Sequence, residues 1–530
     1  NPRSLASIVL TPLLSLAGLT ALSIPAHAVP DDENCDLAGS GSNADPYLIG
    51  DEVELFEMKD CNIDSGVTYK LTDHIYLSGS EMQTRSNDHV SMFYGDDGAQ
   101  FVFDGNGKQI HNLSILDGST HTGLFGLLSA KTDNGRVDLM VRDLTVFADS
   151  VVGNRQVGVL AGAVEGDVSV SNVNIFANHL ACRKLGSREV ASLLDFPGCG
   201  ALAGVVLGDV VVEETTLVVD YLSTNSSHTG MMFGVTAGSI AISESVIQSD
   251  IRVELSDFVG ERKVGGIIGQ AFDSSEIAVE DMFIDLDFGD GPLVSSNRNL
   301  TAGGMIGRVD LEVPLEISIA RSLFDTEIEN ARSFGGLIAE MKGPVIFGIE
   351  DSRVISKSLQ TNARTDFENL AGGLFADLDL QGQMSSATIS RTIVEPDLEV
   401  ADHEDTEVYP LFGARFASDT FGTLTIQDSV LNNEDWMDNS TDQKTDASIT
   451  NMTNRTSTQI RNNEGLPFDV GDKEQGVLGT DPWEFKSGSG PFPTITPNEF
   501  DTGSLTLPSN SLSLTINSAM PDFVMNDSYS

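Results

Sequence analysis

A short sequence unit recurs nine times along the chain and limits the possible folds more than any other feature. It consists of a small or apolar residue, two hydrophobic residues, and then Gly or Ala. Its copies begin at positions 123, 159, 201, 231, 266, 304, 336, 373 and 410, about 36 residues apart on average. A period of this length indicates a solenoid or a propeller, because each repeat buries its apolar face only by stacking on its neighbours.

Two further elements follow each unit at similar offsets. The first alternates apolar and polar residues, as in Val168–Val170 and Ile240–Ile242, which is typical of a β-strand. A polar pair and another apolar residue then mark a corner, as in Glu244–Val246 and Arg321–Leu323. A third, weaker strand fits Ile251–Leu255. Each period therefore contains about three short strands and three corners.

This pattern predicts an all-β fold: a right-handed parallel β-helix of about nine to eleven coils, with caps at both ends. A β-propeller is the alternative, because its blades have a similar period. In a β-helix, glycine is expected where the backbone bends at a corner or where coils approach too closely for a Cβ atom. The repeat glycines assigned to this role are Gly123, Gly126, Gly162, Gly204, Gly234, Gly266, Gly269, Gly304, Gly307, Gly336, Gly373 and Gly413.

The ends of the chain differ from the repeats. Residues 1–28 resemble a signal peptide, with Arg3, an apolar stretch and the small-x-small sequence Ala26–Ala28. We assign 29–122 to an N-terminal cap and the first coils, 123–430 to the repeats, and 431–497 to a C-terminal closing segment. Residues 498–530 are expected to be a linker or the start of a following domain. No later segment is apolar for long enough to span a membrane, so we expect a secreted or cell-surface protein.

The four cysteines also fit an exported chain, in which they would form two disulfides. Proximity in the sequence favours Cys35–Cys61 and Cys182–Cys199 over the two other connectivities. None of the four has the spacing of a metal site.

The chain is strongly acidic, with 79 Asp and Glu against 30 Lys and Arg and a formal net charge of -49. This balance argues against nucleic acid and against anionic membranes as partners, because binding to either depends on clustered cations. We interpret the charge as a solubilising surface suited to salty water. Weak Ca²⁺ coordination by surface carboxylates is the alternative, and no other cofactor is expected.

The repeat resembles the GLUG motif of bacterial surface proteins, most literally at Gly123-Leu124-Phe125-Gly126. The flanks are similar to the same family at 45–49, at 103–113 and in the pairing of 482–485 with 491–493. The resemblance implies a large exported protein, often an adhesin, with a peptidase domain elsewhere in some members. The last five residues, 526–530, resemble the opening of a cadherin-like repeat domain.

Enzymes that degrade polysaccharides also use β-helices, so we searched for catalytic groups. The carboxylate pairs Asp96/Asp97, Asp285/Asp287 and Asp377/Asp379 are expected from an acidic composition alone, and we interpret them as solvated surface residues. Gly105 and Gly107 after Asp104 indicate a tight turn, and His403–Glu404 lacks the second His of a zinc peptidase. We therefore predict no catalytic residues. The expected function is adhesin-like binding of glycans or proteins; the alternative is a polysaccharide lyase or glycoside hydrolase.

Overall fold

A computed structural model describes most of the chain between residues 35 and 493. The described part excludes 62–64, 79–91, 117–119, 133–134, 184–195, 225, 254–261, 273, 289–299, 312, 330, 361–368, 381–384, 401–405, 410, 415–422, 433–446, 451–452, 457–458, 461–465, 468–482 and 487–489. The predicted signal peptide, the segment 498–530 and His403–Glu404 lie outside the described residues.

Nearly all of the described strands belong to three sheets. The long sheet has 21 strands: Tyr47–Ile49, Val67–Leu71, Ile75–Tyr76, Ala99–Leu116, Val137–Gly153, Val168–Ala177, Leu180–Cys182, Val210–Glu213, Thr216–Thr224, Ile240–Val253, Glu276–Phe288, Leu315–Ala320, Leu323–Glu329, Val345–Glu350, Arg353–Gln360, Ser386–Ser390, Ile393–Val400, Thr423–Gln427, Val430–Leu431, Ala447–Thr450 and Thr453–Asn454. The ten-stranded sheet comprises Met92–Gly95, Phe125–Ala130, Ala161–Val164, Ala203–Val206, Phe233–Ala237, Ile268–Phe272, Ile306–Asp310, Ile338–Lys342, Phe375–Asp379 and Phe412–Ala414. The nine-stranded sheet comprises His121–Thr122, Gln156–Val157, Gly198–Cys199, His228–Gly230, Arg262–Gly265, Leu300–Gly303, Ser333–Gly335, Asn369–Gly372 and Thr406–Tyr409.

The chain passes through these sheets in a repeating order, which makes each period one coil. A strand of the nine-stranded sheet leads into one of the ten-stranded sheet, and two limbs of the long sheet follow. Each strand pairs in parallel with its counterparts in the neighbouring coils, as Ala161 does with Phe125 and Ala203. The predicted parallel β-helix is therefore confirmed. A β-propeller is excluded because its blades are separate antiparallel sheets.

The corner between the two limbs of the long sheet is built in the same way in successive coils. One non-glycine residue per coil has a positive φ there: Asn106, Asp143, Asn172, Glu214, Glu244, Asp281, Arg321, Asp351, Arg391 and Asp428. In several coils the next residue is a buried Ser or Thr whose hydroxyl joins two coils. Ser245 Oγ accepts the N–H of Thr215 at 3.2 Å and donates to Ser243 O at 2.7 Å. These corners coincide with the polar pairs in the sequence.

The core is a continuous column of inward-facing apolar side chains that contains residues from Leu37 to Leu431. Aromatic rings from different coils meet inside it; the centroids of Phe101 and Phe125 are 5.0 Å apart, and those of Phe375 and Phe412 are 5.4 Å apart. Alternation along each strand places one set of side chains here and the other on the outside.

Both disulfides have the connectivity that sequence proximity favours. Cys182 ends a strand of the long sheet and Cys199 lies in the nine-stranded sheet, so their bridge closes the segment between them. In the next coil Thr224 pairs with Cys182 and Thr229 pairs with Cys199 in register. The hydroxyls of these two threonines are 2.8 Å apart. A hydrogen bond therefore occupies the place that the disulfide has one coil earlier.

Five of the repeat glycines lie at the bend between the nine-stranded and the ten-stranded sheets: Gly123, Gly266, Gly304, Gly336 and Gly373. The other seven are each the second residue of a strand of the ten-stranded sheet. A Cβ atom added to Gly162 would lie 2.6 Å from Thr122 N, and one on Gly204 would lie 2.6 Å from Val157 N, so the preceding coil leaves no room for a side chain. A second, more regular column was missed in the sequence: Gly158, Gly200, Gly230, Gly265, Gly303, Gly335 and Gly372. The missed signal was a Gly immediately before most repeat units.

Stacked strands also occur beyond the limits 123 and 430 assigned to the repeats, from Tyr47 to Asn454. At the N-terminal end, helix α1 (Glu52–Glu57) and a 3₁₀ helix (Met58–Asp60) contribute Leu55 and Met58 to the core. Asp51 caps α1 by accepting the N–H of Glu54 at 3.0 Å. In the closing segment, Trp483–Lys486 and Gly490–Pro493 form an antiparallel hairpin.

Candidate functional site

Four aromatic rings form a stack on the outer face of the first coils, and we call them the aromatic column. The rings belong to Tyr76, His111, Phe147 and Phe176. Their centroids are 4.5, 4.8 and 5.3 Å apart in that order, and neighbouring planes differ by 6°, 10° and 16°. The rings are therefore close to parallel and separated by one coil each.

Strand register explains why these side chains meet. Tyr76 pairs with His111, and Phe147 pairs with Phe176, in neighbouring strands of the long sheet. Their chain neighbours Ile110, Val146 and Ile175 point into the core, so the column points outwards. The same row continues through Val218 and Gln248 to Asp285. The outer face thus changes from aromatic in the first coils to acidic in the middle of the array.

Tyr76 is the accessible end of the aromatic column, with 65% of its surface exposed, whereas Phe147 is 9% exposed between its neighbours. The outer row next to the aromatic column is polar and uncharged. His111 Nε2 donates to Gln109 Oε1 at 3.0 Å, and Gln109 is followed by Thr145 and Asn174 in the adjacent outer row. Burial, and to a lesser extent His74, lowers the pKa of His111. This shift favours the uncharged form of the His111 ring.

A second feature is formed by the third residues of successive strands of the ten-stranded sheet, and we call it the junction row. In its first half Leu127, Ala163, Val205 and Val235 form an apolar cluster separate from the core, with Phe196 packed against it. In its second half the row is polar: Gln270, Arg308, Glu340 and Asp377 follow one another in register.

Contacts within the polar half of the junction row bind its charges to each other. Glu340 Oε2 lies 3.3 Å from Arg308 Nη1, and Glu340 Oε1 accepts a hydrogen bond from Thr301 Oγ1 at 3.2 Å.

His228 is 4% exposed in the adjacent sheet, and its Nδ1 donates to Pro197 O at 3.0 Å. Burial lowers the pKa of His228 to about 3, with Lys263 contributing in the same direction. His228 is therefore neutral near pH 7.

The other carboxylates considered in the sequence are dispersed along the chain. Asp97 accepts the backbone N–H of Arg136 at 2.9 Å, and Asp104 accepts that of Asn106 at 2.8 Å while pairing with Arg142 at 2.9 Å. These contacts stabilise turns, in agreement with the interpretation of Asp104 as a turn residue. Asp377 and Asp379 lie on different rows of the ten-stranded sheet. Asp377 is only 7% exposed, so its interpretation as a solvated surface residue is wrong.

Within the described ranges, no three His, Cys, Asp or Glu side chains are grouped as metal ligands. Weak Ca²⁺ binding stays a prediction. The helices of the described part are also too short to cross a bilayer. The two disulfides indicate an extracellular or otherwise oxidising compartment.

Comparison with known proteins gives limited matches. No family model matches the sequence, so the GLUG resemblance stays a prediction. Over 148 residues the chain is 34% identical to Halomucin of Haloquadratum walsbyi; the match covers 26% of this chain and spans 2% of Halomucin. A candidate immunoglobulin A1 protease from Bacteroides ovatus is similar over 86% of this chain and 95% of its own, at 12% identity and a TM-score of 0.29. A TM-score this low is no basis for inferring fold or function.

Proposed function

We propose that this chain is a non-enzymatic binding module of a secreted or cell-surface protein, adhesin-like in role, and that it contacts an uncharged glycan through the aromatic column. The single observation that carries the proposal is the exposed ring of Tyr76 at the end of four stacked aromatic rings. An exposed aromatic ring with hydrogen-bonding neighbours offers both an apolar surface and polar contacts to a sugar.

The net charge of the chain favours an uncharged ligand. The chain carries a formal charge of -49, which repels polyanions at moderate ionic strength. Tyr76, Phe147 and Phe176 and the neighbours Gln109, Thr145 and Asn174 carry no formal charge at neutral pH, and burial favours the uncharged form of His111. A neutral sugar can therefore approach this face without desolvating a charged group.

The rigid scaffold supports binding as well. The strands of His111, Phe147 and Phe176 are paired in parallel on both sides. The strand of Tyr76 pairs with that of His111, on which its ring stacks, so a ligand meets rings that are already ordered. Export through the predicted signal peptide and the GLUG assignment are parts of the same proposal, and they rest on the sequence.

The test is binding of neutral polysaccharides on a glycan array, followed by titration of Tyr76→Ala. Tyr76 is mostly exposed, so its removal leaves the core intact. We expect a loss of at least about tenfold in affinity, which corresponds to about 1.4 kcal/mol. Tyr94→Ala is the matched control, because Tyr94 is 45% exposed but lies on the ten-stranded sheet. Equal affinity of both variants for the glycan, or binding of proteins only, would contradict the proposal.

The enzymatic alternative has one observation in its favour. Glu340 and Asp377 pair in register on neighbouring coils of the junction row, and paired carboxylates are the groups that glycoside hydrolysis requires. Glu340 is nevertheless bound by Arg308 and Thr301. New reducing or unsaturated ends in the polysaccharide, abolished by Glu340→Gln, would replace the binding proposal with this one.

A further inference from the structure

Arg262 is a buried cation without a partner among the described residues. It is the first residue of the strand Arg262–Gly265 in the nine-stranded sheet, and only 4% of its surface is exposed. Its Nη2 atom is enclosed and has no hydrogen-bond partner in the described part of the structure.

Two other arginines of this protein have guanidinium groups that are hydrogen-bonded to carboxylates. Arg353 is 2% exposed, but its Nη2 contacts both carboxylate oxygens of Glu395, at 3.1 and 2.9 Å. Arg321 forms two hydrogen bonds with Asp281, at 2.9 and 2.8 Å. Arg262 has no equivalent carboxylate in the described ranges, although the chain contains 79 acidic residues.

An unpaired buried charge is costly, since removing an ion from water costs several kcal/mol even after the protein relaxes. Burial lowers the pKa of Arg262, and no charged group among the described residues offsets this effect. A guanidinium nevertheless stays protonated in proteins, so losing the proton does not relieve the cost. An anion bound beside the guanidinium relieves the cost of burying the charge.

The stacking of coils does not require an arginine at this position. Leu300 pairs with Arg262 in the next coil and belongs to the main core. Arg332 follows Leu300 in the coil after that, and its N–H donates to Leu300 O at 2.8 Å. The position therefore accepts a leucine, and the arginine needs another explanation.

We propose that Arg262 is the cationic group of a binding site for a small inorganic anion of the size of chloride. The low exposure of Arg262 leaves access only to a small ion. The net charge of -49 opposes the approach of a polyanion. Salt screens the repulsion of a monovalent anion, and such an ion is abundant in the saline medium for which an acidic surface is suited. Binding there adds an anion-specific stabilisation to the non-specific screening of the surface.

The test compares the full chain with Arg262→Leu, which copies the residue found one coil later. The first readout is the line width of the chloride NMR signal, which reports binding directly. We expect the wild-type chain to broaden this signal and Arg262→Leu to lose the excess broadening. Arg136→Leu is the control, because Arg136 is 59% exposed in its contact with Asp167, and it should broaden the signal as the wild type does.

The second readout is the melting temperature at constant sodium concentration while chloride replaces gluconate. We expect a saturating upward shift in the wild type and in Arg136→Leu, but none in Arg262→Leu. If all three chains broaden the chloride signal equally, or if gluconate stabilises the wild type as chloride does, the proposal is wrong. Higher stability of Arg262→Leu in every salt, without chloride broadening in any chain, would show that Arg262 is an unpaired structural residue.

Discussion

The Cys182–Cys199 disulfide allows one contribution to stability to be measured separately from the packing around it. The bridge closes a segment of 17 residues. In the chain-entropy description, a loop of this length loses enough freedom in the unfolded state to stabilise the fold by about 3 kcal/mol. The next coil provides the substitution needed, since Thr224 and Thr229 hold the equivalent positions with a 2.8 Å hydrogen bond.

The variant is the double substitution Cys182→Thr with Cys199→Thr. It should keep the in-register packing and form a hydroxyl pair like that of Thr224 and Thr229, so the loss measured is mainly the cross-link. A solenoid opens locally rather than all at once, which makes amide hydrogen exchange the suitable assay. Gly200 N–H, which donates to Val157 O at 3.0 Å, is a reporter close to the bridge.

We expect exchange at Gly200 to become faster by a factor on the order of 100, because each 1.4 kcal/mol changes an equilibrium about tenfold. Amides near the Cys35–Cys61 disulfide should keep their protection and provide the internal control. If exchange at Gly200 changes by less than about threefold, the loop-entropy reasoning fails. A loss of protection along the whole array would instead show that the threonine pair does not replace the packing of the disulfide.

Three more predictions follow from individual side chains. The pKa of His228 is lowered to about 3, so the contribution of His228 to stability is full above about pH 6.5 and falls as the pH drops towards 3. His228→Gln should therefore flatten the dependence of the melting temperature on pH over this range. Glu395→Leu removes the carboxylate that binds the buried guanidinium of Arg353 and should cost about 3–5 kcal/mol. Combining it with Arg353→Met should recover most of that loss in denaturant titrations. Gly204→Ala places a Cβ 2.6 Å from Val157 N; it should destabilise the fold by about 1–3 kcal/mol, with an increase in protease sensitivity as the measurement.

Much of the architecture follows from local features of the sequence. The repeat spacing indicates a solenoid, and the alternation at Ile240–Ile242 indicates a strand that faces a core on one side only. The corner at Glu244–Ser245 is visible because a polar pair interrupts that alternation. The disulfide pairs are favoured because each joins the two cysteines nearest in sequence. These features depend on residues close together in the chain.

Only the tertiary structure decides which residues become neighbours on the outer surface. Tyr76 and His111 meet only because the insertion between their strands has the length that brings them into register, and the repeats are 30 to 42 residues apart, so spacing alone does not predict which outer residues align. A shift of one residue would turn these rings into the core. Likewise, the position of the carboxylates in the fold decides that Arg262 has no partner among the described residues. The sequence by itself determined the coil, and the stacking of coils decided which side chains face a ligand.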